Sequence, residues 1–139
     1  MSEQYSAVIL AAGEGKRMKS NRPKVLSEVL FKPMLRWVLD AVRGSYVADV
    51  CCVAGHRHEQ VEAYLAAYNA QNGSLPPVQC VLQKERRGTG HAVMMARAFL
   101  EARRGGHVLV LNGDAPFMTP HVIDAALRVH SVSYTHLTL

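Results

Sequence analysis

The sequence contains no apolar run near the roughly 20 residues that a transmembrane helix requires, so no membrane partner is expected. Its first residues, MSEQYSAVILAAGEG, have no basic lead, and their apolar stretch runs straight into glycines. A secretory leader is therefore not expected, and the expected compartment is the cytoplasm. Cysteine is sparse and odd in number: Cys51 and Cys52 are adjacent in one apolar run, and Cys80 lies in another. Three thiols without metal-ligand spacing exclude a disulfide framework and a zinc site; buried, reduced side chains are expected instead. An apolar content of 49% excludes a disordered chain. At 139 residues there is enough chain for one domain with a sizeable core and too little for two.

The net charge of +5 admits nucleic acid, anionic membrane or small phosphorylated ligands as partners. Its distribution separates them. Lys16, Arg17, Lys19, Arg22 and Lys24 face Glu14 alone across one segment, and Lys84, Arg86 and Arg87 flank Glu85 in another. Both clusters fall in glycine-bearing loops rather than along one helix face. That favours a concentrated anion site over a nucleic-acid stripe.

Strand and helix signals alternate along the chain. Residues 6–11 are continuously apolar, as in a strand buried on both faces. A polar loop follows, up to Pro23-Lys24. Pro33 suits a first helical position, and Leu35, Val38, Leu39 and Val42 recur at helical spacing before Gly44. Residues 47–53 predict a second strand, and Val61, Tyr64, Leu65 and Tyr68 mark a helix over 57–69. After the turn-rich segment at 72–77, residues 78–82 predict a third strand. One helix is expected after Gly88-Thr89-Gly90, carrying Ala92, Met95, Ala96, Phe99 and Leu100 inward as far as Gly105. Residues 107–112 predict a fourth strand, and Thr119 a cap for a last helix over 120–129. This alternation predicts an α/β fold: a Rossmann-like, doubly wound, mainly parallel sheet with helices on both faces. The loops at 12–24, 83–90 and 112–117 all follow strands, so they converge on the sheet edge where such folds bind ligands. Residues 1–130 are read as part of one domain. The tail SVSYTHLTL does not continue the preceding helical face, and residues 131–139 are expected to be non-native or disordered.

Three motifs on that edge carry chemistry. Gly13 and Gly15 follow the first strand, where glycine admits positive φ and close approach of backbone amides to an anion. Arg17 brings a planar fork and Lys24 a movable charge; a tight turn with solvated lysines is the alternative. The loop is neither of two common phosphate motifs. The dinucleotide fingerprint needs a third glycine where Met18 stands, and the P-loop needs Ser or Thr where Arg17 stands. Gln83, before Arg87-Gly88-Thr89-Gly90-His91, offers an amide donor and acceptor that suit a pyrimidine edge; a polar cap at a helix start is the alternative. His91 reads as a helix-start residue rather than a base. Asp114, in Asn112-Gly113-Asp114-Ala115-Pro116, suits Mg²⁺ bridging triphosphate oxygens, or else caps a turn.

LAAGEGKRM with Pro23-Lys24-Val25-Leu26 resembles the signature of the sugar-nucleotide pyrophosphorylases, in the MobA-like NTP transferase superfamily. GTGHA at 88–92 and NGDAP at 112–116 resemble the uridylyltransferase domain of the bifunctional enzymes that make UDP-N-acetylglucosamine. Lys16 departs from the threonine frequent in the family, and Asn112 from a tyrosine found in some members. The resemblance spans about residues 6–129 and implies an incomplete nucleotide-diphospho-sugar transferase fold that takes UTP and N-acetylglucosamine 1-phosphate. It implies nucleotide contacts from Leu10, Ala11, Ala12, Gly13 and Thr89, uracil contacts from Gln83 and Gly88, and phosphate contacts from Lys24. It further implies triphosphate stabilisation by Arg17, Mg²⁺ on Asp114, and a homo-oligomeric, trimeric full-length protein. A related enzyme with another base or acceptor, and a non-catalytic nucleotide-binding module, remain the alternatives.

Overall fold

A short apolar segment, Tyr5–Ala11, forms the central strand β1 of the computed structural model, which describes residues 4–13, 22–85, 87–115 and 118–133. Ala7, Val8 and Ile9 are wholly buried, because both edges and both faces of β1 are covered. Two hairpin-forming strands, β2 (Glu28–Val29) and β3 (Lys32–Pro33), follow, then helix α1 (Met34–Arg43) and strand β4 (Asp49–Ala54). Helix α2 (His58–Gln71), strand β5 (Gln79–Leu82), helices α3 (Gly88–Met95) and α4 (Arg97–Glu101), strand β6 (His107–Asn112) and helix α5 (Pro120–Ser133) complete the order. The main sheet runs β5-β4-β1-β6, with every pairing parallel.

Alternation of side chains along β1 divides the core in two. Ala7, Ile9 and Ala11 face Leu35, Val38 and Leu39 of α1, Val61 and Leu65 of α2, and Ile123 and Leu127 of α5. Val8 and Ala12 face Ala92, Ala96 and Phe99 of α3 and α4. Helices on both faces of a parallel sheet are the expected doubly wound arrangement. The cysteines behave as small hydrophobes: all three are free, Cys51 and Cys52 are buried, and Cys80 is half-buried. Burial pushes the Cys51 and Cys80 thiols up to about 11 and also raises Cys52 well above the usual thiol range, so they stay neutral. Among the described residues, no helix is long and apolar enough to cross a membrane.

Four expectations are corrected. Helix α1 begins at Met34, because Pro33 pairs with Glu28 in the hairpin and stands just outside the helix. The helix expected after Gly88 is two helices. The Ala96 N–H donates to Val93 O at 3.0 Å, an i→i−3 bond that interrupts the α-helical ladder. Gly88, Thr89 and Gly90 are themselves the first turn of α3. Finally, α5 continues to Ser133 and so takes in the first three residues of the suspected tail; residues 134–139 lie outside the described residues.

The β2–β3 hairpin has no turn signal in sequence. Its central residues Leu30 (φ 52°) and Phe31 (φ 66°) both occupy the left-handed region, where Asn-Gly is the favoured pair. Trp37 Nε1 donates to Val29 O at 2.9 Å, and Lys32 lies 4.1 Å over the Trp37 ring while pairing with Asp40. These contacts tie the hairpin to α1.

Candidate nucleotide-binding site

Strands β1, β5 and β6 end at one edge of the sheet, and the loops beyond them enclose a cleft of about 410 Å³. Its walls include Leu10 from the end of β1, Ala12 and Gly13 from the loop after it, Lys24, Gln83, Gly88 and Thr89, and Asp114. Eight of the expected site residues therefore meet, although they are spread over more than a hundred positions of sequence. The volume lies within the range of about 300–1,000 Å³ common for small-molecule sites. Val25, Ala92 and Asn112 also line the cleft and were not singled out from sequence. Ala92 reads there as an ordinary core residue and Val25 only as part of the Pro23-Lys24-Val25-Leu26 signature, whereas Asn112 carried a signal in its place at the strand end beside Asp114.

Lys24 is aimed by its neighbours. Pro23 and Val25 are buried, and a turn of 3₁₀ helix is closed by Leu26 N–H to Pro23 O at 3.0 Å. The flanking anchors leave the Lys24 side chain on the cleft wall, with Nζ 3.0 Å from Asp114 Oδ2. Asp114 is held by Gly113, whose N–H donates to Leu10 O at 2.9 Å. A Cβ on Gly113 would stand 3.0 Å from Val25 Cγ1 and 3.2 Å from Leu10 O. Glycine is thus what allows the β6 loop to lie against β1 and the Lys24 turn. Sequence placed Lys24 and Asp114 on one edge but gave no sign that they pair.

The glycine loop needs two refinements. Gly13 is not in the left-handed region, so positive φ is not its role; among the described residues, a Cβ there would meet nothing within 4 Å beyond its chain neighbours. What remains is its open approach to the cleft. Leu10 gives its carbonyl to Gly113, and the Ala11 methyl packs into the core on the other face of the sheet. Gly15, Arg17 and the rest of residues 14–21 lie outside the described residues.

Gln83 is only 7% exposed and is fixed at three points. Its backbone N–H donates to Ala54 O at 2.7 Å, extending the β4–β5 pairing by one bond. Its side-chain Nε2 lies 3.4 Å from Gly88 O and 2.9 Å from His91 Nδ1. Gly88, at φ +88°, needs the conformational freedom of glycine to start α3 beside the cleft. Helix α3 has no side-chain cap, so its first-turn N–H groups are not taken up in that way. The second basic cluster contributes less than its charge suggested, since Arg87 pairs with Glu85 at 2.7 Å on the surface. Among the described residues no three His, Cys, Asp or Glu side chains group as a metal site, which leaves Asp114 as a single carboxylate on the cleft.

The arrangement is a charged, glycine-walled cleft at the carboxyl edge of a parallel sheet, suited to a phosphorylated ligand carrying a base. Comparison with known proteins agrees. The chain is 43% identical over 127 residues to the bifunctional protein GlmU of Alkaliphilus oremlandii and 39% identical over 125 residues to that of Symbiobacterium thermophilum. These matches cover 91% and 90% of this chain but 25% of each relative, so the chain spans about a quarter of their length. A UDP-glucose pyrophosphorylase complexed with UDP-glucose shares the fold at TM-score 0.73 and 18% identity, over 94% of this chain and 55% of that one. The manganese complex of Rv0371C from Mycobacterium tuberculosis does so at TM-score 0.66 and 20% identity, over 93% and 60%. A family model, the MobA-like NTP transferase domain, matches residues 7–135. With nearly the whole chain matched, the protein belongs to the MobA-like NTP transferase domain family.

Proposed function

We propose that this chain is the nucleotide-holding part of a uridylyltransferase that joins UTP and N-acetylglucosamine 1-phosphate, giving UDP-N-acetylglucosamine and pyrophosphate. The observation that carries the reading is the convergence of Gly13, Lys24, Gln83, Gly88, Thr89 and Asp114 on one cleft. The choice of base and acceptor follows from the resemblance of GTGHA and NGDAP to the enzymes that make UDP-N-acetylglucosamine, and the match to bifunctional GlmU proteins supports it.

The acceptor's phosphate oxygen is already anionic at neutral pH, so no general base is required of the chain. The obstacle is repulsion between that anion and the triphosphate. Lys24 and Asp114 are about half and one-third exposed, so their ion pair is worth at most about 1 kcal/mol and is readily exchanged. On nucleotide binding Lys24 leaves Asp114 for phosphate oxygens and stabilises charge developing on the α-phosphoryl group and leaving pyrophosphate. Asp114 would then be free to hold Mg²⁺ through its carboxylate. One carboxylate fits that ion, which is commonly bound through one or two carboxylates together with substrate phosphates and water. When bound, Mg²⁺ would neutralise triphosphate charge. Arg17 is assigned a second cationic contact with the triphosphate. Leu10, Ala11, Ala12 and Gly13 are assigned to the nucleotide through their backbone, together with Thr89, while Gln83 and Gly88 read uracil.

The acceptor pocket and a second metal ligand are assigned to sequence beyond the region matched here, so the 139-residue chain alone binds UTP without turning it over. The whole protein is read as a cytoplasmic homotrimer with no nucleic-acid or membrane partner, and residues 131–139 as a non-native tail whose first three residues continue helix α5. Calorimetry with UTP, with and without Mg²⁺, and a pyrophosphate-release assay with N-acetylglucosamine 1-phosphate test the reading. The expected result is Mg²⁺-strengthened UTP binding and no release. No binding would overturn the site, and sustained release would overturn the assignment of missing parts.

A further inference from the structure

We propose that His91 is a positioning residue that turns the Gln83 amide so that only its oxygen meets the base, making the cleft select a pyrimidine that presents an N–H there. The inference rests on the uracil-nucleotide reading above and explains how that base is told from cytosine.

An amide side chain has two ends of similar shape and opposite chemistry, so its specificity depends on what holds it. The Gln83 end near Gly88 O and His91 Nδ1 meets two groups at once. Gly88 O can only accept, so the atom beside it is the NH₂. With its two hydrogens directed at Gly88 O and His91 Nδ1, the NH₂ is fully used. His91 must then accept at Nδ1, which requires a neutral ring with its proton on Nε2. The weaker contact to Gly88, at 3.4 Å, would hold this sense poorly; the 2.9 Å contact to His91 is the stronger constraint.

Among the described residues, Gln83 Oε1 is left as the end without a hydrogen-bond partner, on a side chain that lines the cleft. Sequence suggested a donor and an acceptor at this position, but the structure commits the donor to the protein. An acceptor facing the base pairs with the N3–H of uracil. It opposes N3 of cytosine, which carries a lone pair at the same place. Leaving two acceptors face to face in a buried setting is costlier than losing one hydrogen bond. His91 touches no substrate in this scheme; it acts through Gln83 alone.

The test uses the 139-residue chain with UTP and CTP as probes, and the ratio of their dissociation constants as the readout. Wild type is expected to prefer UTP. H91A should lower the UTP preference by about tenfold, the scale of one lost hydrogen bond. H91N, which keeps an acceptor, should retain most of the preference, and H91K, which offers only donors, should erase or invert it. A loss of packing alone would weaken both nucleotides and leave their ratio unchanged. Nitrogen NMR of the wild-type His91 ring needs no variant and should show the proton on Nε2. Unchanged UTP preference in H91A, or a ring protonated on Nδ1, overturns the role of His91 while leaving the uridylyl reading intact. Wild type without UTP preference overturns both.

Discussion

Asp114→Asn separates binding from folding in a way that the Lys24–Asp114 pair makes quantitative. The two groups meet at 3.0 Å but are 46% and 34% exposed, so their attraction is screened and contributes at most about 1 kcal/mol to stability. The variant should therefore lose no more than about 3 °C in Tm. Its effect on UTP should reverse with metal. Without Mg²⁺ the wild-type carboxylate repels the triphosphate and also occupies Lys24. A unit charge at about 4 Å costs about 1 kcal/mol even at the dielectric of water. Removing it frees Lys24 as well, so D114N should bind UTP about 5- to 10-fold more tightly than wild type in EDTA. With Mg²⁺ the order should invert, because the variant has lost the carboxylate ligand. Calorimetry of both proteins in both buffers reads the crossover, and thermal melts check the fold. If D114N binds UTP more weakly than wild type in EDTA, or keeps the full Mg²⁺ enhancement, the exchange of Lys24 between carboxylate and phosphate is wrong.

Phe31 is 97% exposed at φ 66°, so Phe31→Gly relieves strain without uncovering a packed contact. Offset by the backbone freedom of glycine, a gain of about 0.5–1 kcal/mol is expected in urea unfolding; destabilisation would contradict the described turn. Gly113→Ala places a methyl 3.0 Å from Val25 Cγ1 and 3.2 Å from Leu10 O, and should cost about 1–3 kcal/mol. It should also weaken UTP binding by displacing Asp114; unchanged affinity in a destabilised protein would detach the Gly113 contact from the site. In a whole enzyme carrying this chain, Lys24→Ala should lower turnover by about 10²–10³, and wild-type turnover would remove Lys24 from the chemistry. Burial raises Cys51 and Cys80 from 9.0 to about 11, so folding favours their protonated forms. Their contribution to stability should be intact below pH 9 and fall as pH rises toward 11, as read by urea midpoints compared with a C51A/C80A variant.

Much of this structure is legible in the sequence because strongly apolar segments leave a trace, whether buried on both faces as in β1 or half-buried at the sheet edge as in β6. The segments of β1 and β6 are continuously apolar, and the strands lie where that pattern places them. Thr119 caps α5 as expected, with Val122 N–H donating to Oγ1 at 3.2 Å. The hairpin at Leu30-Phe31 was hidden, because its left-handed turn is imposed by the Trp37 and Lys32 contacts rather than by its own residues. The break at Ala96 was hidden too, since alanine suits a helix and its apolar spacing runs on unchanged. In the site, residue types at strand ends pointed to the cleft, but pairings did not show. Lys24–Asp114 and Gln83–His91 depend on where the backbone directs each side chain, and no spacing rule encodes that.

The central claim is that one cleft at the carboxyl edge of the sheet holds a uridine nucleotide. A backbone and side-chain amide NMR titration of the chain with Mg²⁺ and UTP tests it most directly. Shifts should concentrate at Gly13, Gly88 and the Gln83 side chain, which line the cleft, and should leave Val93 and Leu100, which line a neighbouring apolar hollow that shares Thr89 with it, nearly unmoved. Saturating shifts centred on that hollow, or none at millimolar UTP, would contradict the account.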